Sequence, residues 1–303
     1  MKNLLKLTDL TSAELTHILD VADQLKYNQK HGIAHELLRG KTLGMIFQKS
    51  STRTRVSFEV GMFQLGGYAL FLSTSDIQMG RGESVRDTAR VLSRYCDGIM
   101  IRTYGQDEVE ELAQYATIPV INGLTDYSHP CQVLADLQTI RERMGTLSGL
   151  RLCYIGDGNN MANSLIAGGL LAGMEVSCAT PKNYQPDAKI LEFAAGYPGK
   201  FHWSESVMEA SKGADVLVTD VWASMGQEAE REQRARDFKG YQISTEVVEN
   251  ASDQVMVLHC LPAHKGEEIT EEVFERFAPM IFDEAENRLH AQKAVMAICM
   301  GDY

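Results

Sequence analysis

The sequence predicts an α/β protein of two domains, each a parallel sheet flanked by helices, with the active site in the cleft between them. Three observations predict this. Apolar, strand-like runs alternate with helix-period segments along the chain, and the alternation pauses where a long helix ends in "GTLSGL", at residues 145–150, before restarting. Six polar stretches of unusual composition each follow a predicted strand. The length, 303 residues, suffices for two domains that bury separate cores.

In chain order, "TSAELTHILDVADQLKY" places Leu15, Ile18, Leu19, Ala22 and Leu25 at helical spacing behind a capping box of Thr11 and Glu14. "TLGMIF" is a strand. Val56, Val60, Met62, Phe63 and Leu65 then give a helix ended by Gly66 and Gly67. Strand "YALFL", helix "SVRDTARVLSRY", strand "GIMI", helix "EVEELAQYA" and strand "IPVIN" complete the first half, and "HPCQVLADLQTIRERMG" is the long helix that ends it. The second half reads as strand "RLCYIG", helix "NNMANSLIAGGLLAG", strand "MEVSCAT", helix "ESVMEASKG", strands "DVLVTD" and "QVMVLH", helix "EITEEVFERF" and a separate C-terminal helix "AENRLHAQKAVMAICMG".

Composition narrows the function classes. With 44% apolar and 23% charged residues and no run long enough to span a bilayer, the chain reads as a soluble cytoplasmic protein without a secretory signal. Six scattered cysteines form no C-x-x-C pair, so neither a zinc knuckle nor a disulfide framework is expected. A formal charge of -12 opposes a nucleic-acid partner, so any anion bound here should be small.

The six stretches are Ser51 to Arg55, Arg102, "TDYSHPCQ", "GDGNN", "DVWASMG" and "HCLP", all at carboxyl ends of predicted strands, the edge where open α/β sheets bind ligands. In "SSTRTR", Ser50 or Ser51 can cap a helix whose first-turn N–H groups and dipole favour an anion. Arg53 adds a fork for phosphate oxygens, and Ser51, Thr52 and Thr54 add neutral donors. Alone, the stretch would equally describe a capped surface helix. In "SHPCQ", Ser128 can cap, Pro130 suits the first turn, and His129 and Gln132 share a helix face.

Together and in this order, "SSTRTR", "HPCQ", "DVWASMGQE", "HCLP" and "ENR" resemble the aspartate/ornithine carbamoyltransferase family, from about Leu5 to the C-terminus. The first two are shared across that family, whereas "DVWASMG" and "HCLP" resemble its ornithine branch. The resemblance implies a transferase of arginine metabolism and amino-acid biosynthesis, moving the carbamoyl group of carbamoyl phosphate to the δ-amine of L-ornithine to give citrulline. It also implies no organic cofactor, no metal and no membrane or nucleic-acid partner. It assigns residues 1–145, completed by a C-terminal helix at about 286–303, to carbamoyl phosphate, and residues 146–285 to L-ornithine.

Residue by residue, the resemblance puts Ser51, Thr52, Arg53, Thr54, Gln78, Arg102, His129, Gln132, Cys260, Leu261 and Arg288 on carbamoyl phosphate, with Arg102, His129, Gln132 and Cys260 catalytic. Asn160, Asp220, Ser224 and Met225 fall on ornithine, the last two in a loop that closes over it. The family's homotrimer would bring Gln78 into the neighbouring subunit's site. Pro262 at a strand exit favours a positioned Cys260 that orients the attacking amine, not a covalent intermediate. His259 and His264 stand five apart across a proline-containing loop, poor spacing for a metal.

Other classes fit less well. "GDGNN" supplies Gly156 and Gly158 of a dinucleotide fingerprint, but position 161 is Met and the next strand ends in "SCATPK" with no acid for a ribose. An inactive amino-acid-binding module on the same fold would not need every catalytic position filled. A transcarbamoylase for putrescine or an N-acylated ornithine is the alternative within the family; Asp220 with Ser224 and Met225 favours free ornithine.

Overall fold

In the computed structural model, which describes residues 1–75, 77–79, 82–223, 226 and 228–301, the N-terminal capping box closes. Thr11 Oγ1 accepts from the Glu14 amide at 3.2 Å and the Glu14 carboxylate accepts from the Thr11 amide at 2.9 Å. This starts α1 (Ser12–Lys30), whose face of Leu15, Ile18, Leu19, Ala22 and Leu25 is buried. There follow β1 (Thr42–Phe47), α2 (Thr52–Gln64), β2 (Tyr68–Ser73), α3 (Val85–Tyr95), β3 (Gly98–Arg102), α4 (Gln106–Tyr115), β4 (Val120–Leu124) and α5 (Pro130–Met144). The second half contains β5 (Arg151–Ile155), α6 (Asn160–Leu171), β6 (Glu175–Ala179), α7 (Ala188–Ala195), β7 (Phe201–Ser204), α8 (Val207–Ala210), β8 (Val216–Thr219), α9 (Arg231–Asp237), α10 (Thr245–Asn250), β9 (Met256–His259) and α11 (Glu271–Met300).

The chain forms two compact units, Met1–Ala135 with the segment from Asn287 onward, and Asp136–Glu286. The first contains a four-stranded parallel sheet in the order β2-β1-β3-β4, the second a five-stranded parallel sheet in the order β7-β6-β5-β8-β9. Parallel strands joined through crossover helices are covered on both faces, which is why β3, β8 and β9 read as unbroken apolar runs and are buried throughout. One core joins Ile46, Ile99, Ile101 and Val120 to Val109 and Leu112 of α4; the other joins Ile155, Leu217 and Val257 to Val247, Val273 and Phe277. The expected α/β architecture of two flanked parallel sheets is the one the chain adopts.

Several details differ from expectation. Val56, Val60 and Phe63 are exposed, because α2 buries its other face, Phe58, Gly61 and Met62. A Cβ at Gly61 would sit 2.8 Å from the Met296 methyl of α11, so the two helices approach closely there and a larger residue would displace the end of that side chain. Strand β7 and helices α7 and α10 carry too short a pattern for the sequence to declare. The two helices expected at the C-terminus are one, α11, running through Pro279. His129 directly precedes α5, and the Ser128 carbonyl and amide are held by the Thr125 amide at 2.9 Å and Thr125 Oγ1 at 3.0 Å.

Candidate active site

In each sheet the strand order reverses once, between β1 and β3 in the first and between β5 and β8 in the second. Chains leaving two such neighbours turn opposite ways and open a crevice at the carboxyl edge. In the first unit the loop after β1 runs directly into α2. Ser51, with extended backbone, caps that helix, its Oγ accepting from the Thr54 amide at 3.2 Å. Thr54 is buried, and its Oγ1 accepts from Arg102 Nη1 at 3.5 Å and Arg288 Nη2 at 3.2 Å. Arg288 Nη1 also donates to Gln132 Oε1 at 2.7 Å.

One hydroxyl thus ties together the ends of β1 and β3, the start of α5 and the middle of α11. Arg102 closes β3 at a register shift, where Ile101 pairs with Asn122 but Arg102 pairs with Leu124, so Gly123 is the extra residue. Such bulges re-aim a side chain at a sheet edge. His129 is buried, and its pKa lies well below the usual 6.5, through burial first and then the charges of Arg288, Arg102 and Arg53. The imidazole is therefore neutral at physiological pH, surrounded by three guanidinium groups: a site of net positive charge at a helix N-terminus, suited to an anion.

The second unit presents the opposite sign. Asp220 follows β8 and is buried; its Oδ1 accepts from the Val221 amide at 2.8 Å and from the Cys260 thiol at 3.0 Å, and its Oδ2 accepts from Asn159 Nδ2 at 3.2 Å. Asn159 caps α6, accepting from the Met161 and Ala162 amides, so the helix fixes its amide toward Asp220. The Cys260 pKa is pushed well above 9, by burial and then by Asp220, so the sulfur is a thiol and not a nucleophilic thiolate. Leu261 holds a φ of 59°, the one positive value outside glycine among the described residues, and is followed by a cis peptide to Pro262. Its amide donates to His259 Nδ1 at 2.9 Å, which leaves His259 Nε2 to donate to Glu268 Oε1 at 3.0 Å.

Comparison with known proteins agrees with both halves. Residues 2–142 match the family model for the aspartate/ornithine carbamoyltransferase carbamoyl-P binding domain, and residues 148–299 match that for the Asp/Orn binding domain. The chain belongs to the aspartate/ornithine carbamoyltransferase family. It is 55% identical to the ornithine carbamoyltransferase of Carboxydothermus hydrogenoformans, over 99% of this chain and 98% of that one. Among solved structures, the ornithine carbamoyltransferase of Pyrococcus furiosus matches with a TM-score of 0.95 at 53% identity, covering 100% of this chain and 98% of that one. The anabolic ornithine carbamoyltransferase of Campylobacter jejuni matches with a TM-score of 0.92 at 42% identity, covering 99% of each chain.

Of the residues that the carbamoyltransferase resemblance selects, Ser51, Thr54, Arg102, Gln132 and Arg288 form one hydrogen-bonded group in the first unit, with Arg53 acting on His129 through its charge. Asp220 and Cys260 form a group in the second, with Leu261 next in chain and Asn160 buried in the first turn of α6. Thr52 and Gln78 are exposed. Ser224 and Met225 lie outside the described residues. Sequence reading missed Asn159, although an asparagine before a helix is a cap signal, and missed Glu268, which nothing in its local pattern distinguishes from other acids. Among the described residues, His264, Glu267 and Glu268 offer ligand atoms within 4.8 Å of one another. They already serve an ion-pair network: Glu267 accepts from Arg231 at 2.8 Å, and Glu268 Oε1 accepts from His259 and from the His264 amide at 2.5 Å.

Proposed function

We propose that this chain is an ornithine carbamoyltransferase, transferring the carbamoyl group of carbamoyl phosphate to the δ-amine of L-ornithine to give L-citrulline and phosphate. The observation that carries the reading is the division of charge: guanidinium groups around a helix N-terminus in the carbamoyl-P binding half, and a buried carboxylate with a protonated thiol in the Asp/Orn binding half.

In this reading Ser51, Thr52, Arg53 and Thr54 hold the phosphate, with Gln78 supplied by a neighbouring subunit. Arg102 and neutral His129 donate to the carbamoyl oxygen, and Gln132, oriented through Arg288, holds the carbamoyl amide. Asp220 receives the α-ammonium of ornithine and Asn160 its carboxylate, with Ser224 and Met225 covering the side chain. The Cys260 thiol and the Leu261 carbonyl orient the δ-amine. The neutral amine attacks the carbamoyl carbon and negative charge builds on the carbonyl oxygen. The C–O bond to phosphate then breaks, and the departing phosphate takes the amine's proton. The protein supplies charge and orientation, with no metal or covalent intermediate.

We further propose a cytoplasmic homotrimer with shared sites. Support for assembly comes from Val56, Val60 and Phe63 on α2 and Tyr68, Leu70 and Phe71 on β2, apolar and exposed in the single chain. No helix among the described residues is long and apolar enough to cross a membrane.

A substrate panel at fixed carbamoyl phosphate tests the activity: L-ornithine should be carbamoylated, and putrescine or N-acylated ornithine should not. Preference for either of those would move the enzyme elsewhere in the family. Mixing inactive Arg53→Ala and Gln78→Ala subunits tests sharing, since activity returns only if some sites draw both intact residues from different chains.

A further inference from the structure

Three strand-end loops must hold fixed spacing for the first half-site to work: the one after β1 with Ser51 to Thr54, the end of β3 with Arg102, and the one after β4 with His129. A residue outside all of these roles touches each loop. Lys49 is 4% exposed, and its ammonium pairs with Asp126 and lies 4.2 Å from the centroid of the Tyr104 ring. Its own amide approaches the Arg102 carbonyl at 3.4 Å, beside the Gln48 amide at 2.9 Å.

Each arm of this contact sits close in sequence to a candidate substrate group: Lys49 two residues before Ser51, Tyr104 two after Arg102, and Asp126 three before His129. The arms are also tied to one another. The Asp126 amide donates to the Tyr104 carbonyl at 2.9 Å, and Glu108, at the start of α4, accepts from Gln48 Nε2 at 2.5 Å and from Thr103 Oγ1. The Lys49 ammonium is buried while the Asp126 carboxylate is largely exposed, so what resists separation of the loops is the cost of leaving the buried ammonium without its partners.

We propose that Lys49 is a positioning residue: with Asp126 and Tyr104 it clamps the three loops that carry the phosphate donors, Arg102 and His129, without itself touching substrate. This rests on the carbamoyl-transfer reading of the site. The rival explanation is that the Lys49 charge attracts phosphate through space, and the two differ in sign at Asp126. Removing that carboxylate strengthens a through-space attraction but loosens a clamp.

Lys49→Met and Asp126→Asn should each be titrated with inorganic phosphate by calorimetry, assayed with both substrates, and melted. The clamp predicts phosphate affinity about tenfold weaker in Lys49→Met and several-fold weaker in Asp126→Asn, matching increases in the KM for carbamoyl phosphate, and an ornithine KM within about twofold of the parent. The double variant should cost little more than Lys49→Met alone. Tighter or unchanged phosphate binding by Asp126→Asn overturns the clamp, as does an affinity in Lys49→Met within about twofold of the parent. If Lys49→Met does not fold, the sign of the Asp126→Asn effect decides. A parent that binds phosphate but transfers no carbamoyl group overturns the proposed function and leaves the clamp to be judged on the phosphate titrations.

Discussion

The two half-sites occupy the same place in two similar sheets and use opposite chemistry. After β1 and β3 stand Arg53 and Arg102, joined by Arg288 around a neutral histidine; after β8 and β9 stand a carboxylate and a thiol bonded to each other. Each is anchored by a capped helix, Ser51 on α2 in one and Asn159 on α6 in the other. The first cap orders a helix start for an anion. The second aims an amide at Asp220 and holds a carboxylate ready for an ammonium. The parallel sheet supplies the location, and the residues at the strand ends decide the sign of the ligand.

The largest expected effect breaks the cationic side. Arg53→Ala should lower kcat/KM by about 10²–10³, with the far-UV circular dichroism and melting temperature of the parent, because a charge-assisted donor aimed at the leaving phosphate is lost. Kinetics within a few-fold of the parent would remove phosphate binding from this helix start. Next, Asp220→Asn should raise the ornithine KM by roughly 10- to 100-fold while the carbamoyl phosphate KM moves little, since one charged contact to the second substrate disappears. Equal changes in both KM values would mean that the two halves do not divide the substrates as proposed.

A smaller effect is expected at Cys260. With its pKa well above 9, the thiol should react only slowly with iodoacetamide at pH 7.5, and Cys260→Ser should keep kcat within roughly tenfold of the parent. Rapid labelling that abolishes activity would point to a thiolate.

The smallest effect is spectroscopic. The folded-state pKa of His129 lies below the ordinary imidazole value of 6.5, so the unfolded chain takes up the proton first. Its contribution to stability is intact above pH 6.5 and is lost as pH falls toward the folded value. Ring-nitrogen NMR should show a neutral His129 at pH 6 without ligand, and a raised pKa once phosphate offsets the guanidinium charges. Titration near 6.5 in the free protein would mean that neither burial nor the three arginines act on the ring as described.

Much of this was legible in the residues. Alternating periodicity gave nearly every long element, and the six polar stretches all fell at carboxyl ends of real strands. Local chemistry also narrowed the cap of α2 to Ser50 or Ser51, of which Ser51 caps it, and ended the helix at Gly66 and Gly67, the first at a φ of 79°. What failed was short or depended on partners. Strand β7 has four residues and α10 has six, too few for a period to stand out. Val56, Val60 and Phe63 have the spacing of a buried face, yet α11 packs against the other side of α2.

The sequence by itself determined the fold class, the edge of each sheet where ligands belong and, through its motifs, the family, because these follow from side-chain period, capping and turn chemistry acting over a few residues. Only the tertiary structure decided that Thr54 would join Arg102 and Arg288, that Asn159 would face Asp220, that Cys260 would stay protonated, and that Lys49 would lie between three loops. Those pairings span tens to hundreds of residues of chain. They are set by strand order and by the low dielectric of a buried site, where charge and proton position depend on neighbours that no local pattern names.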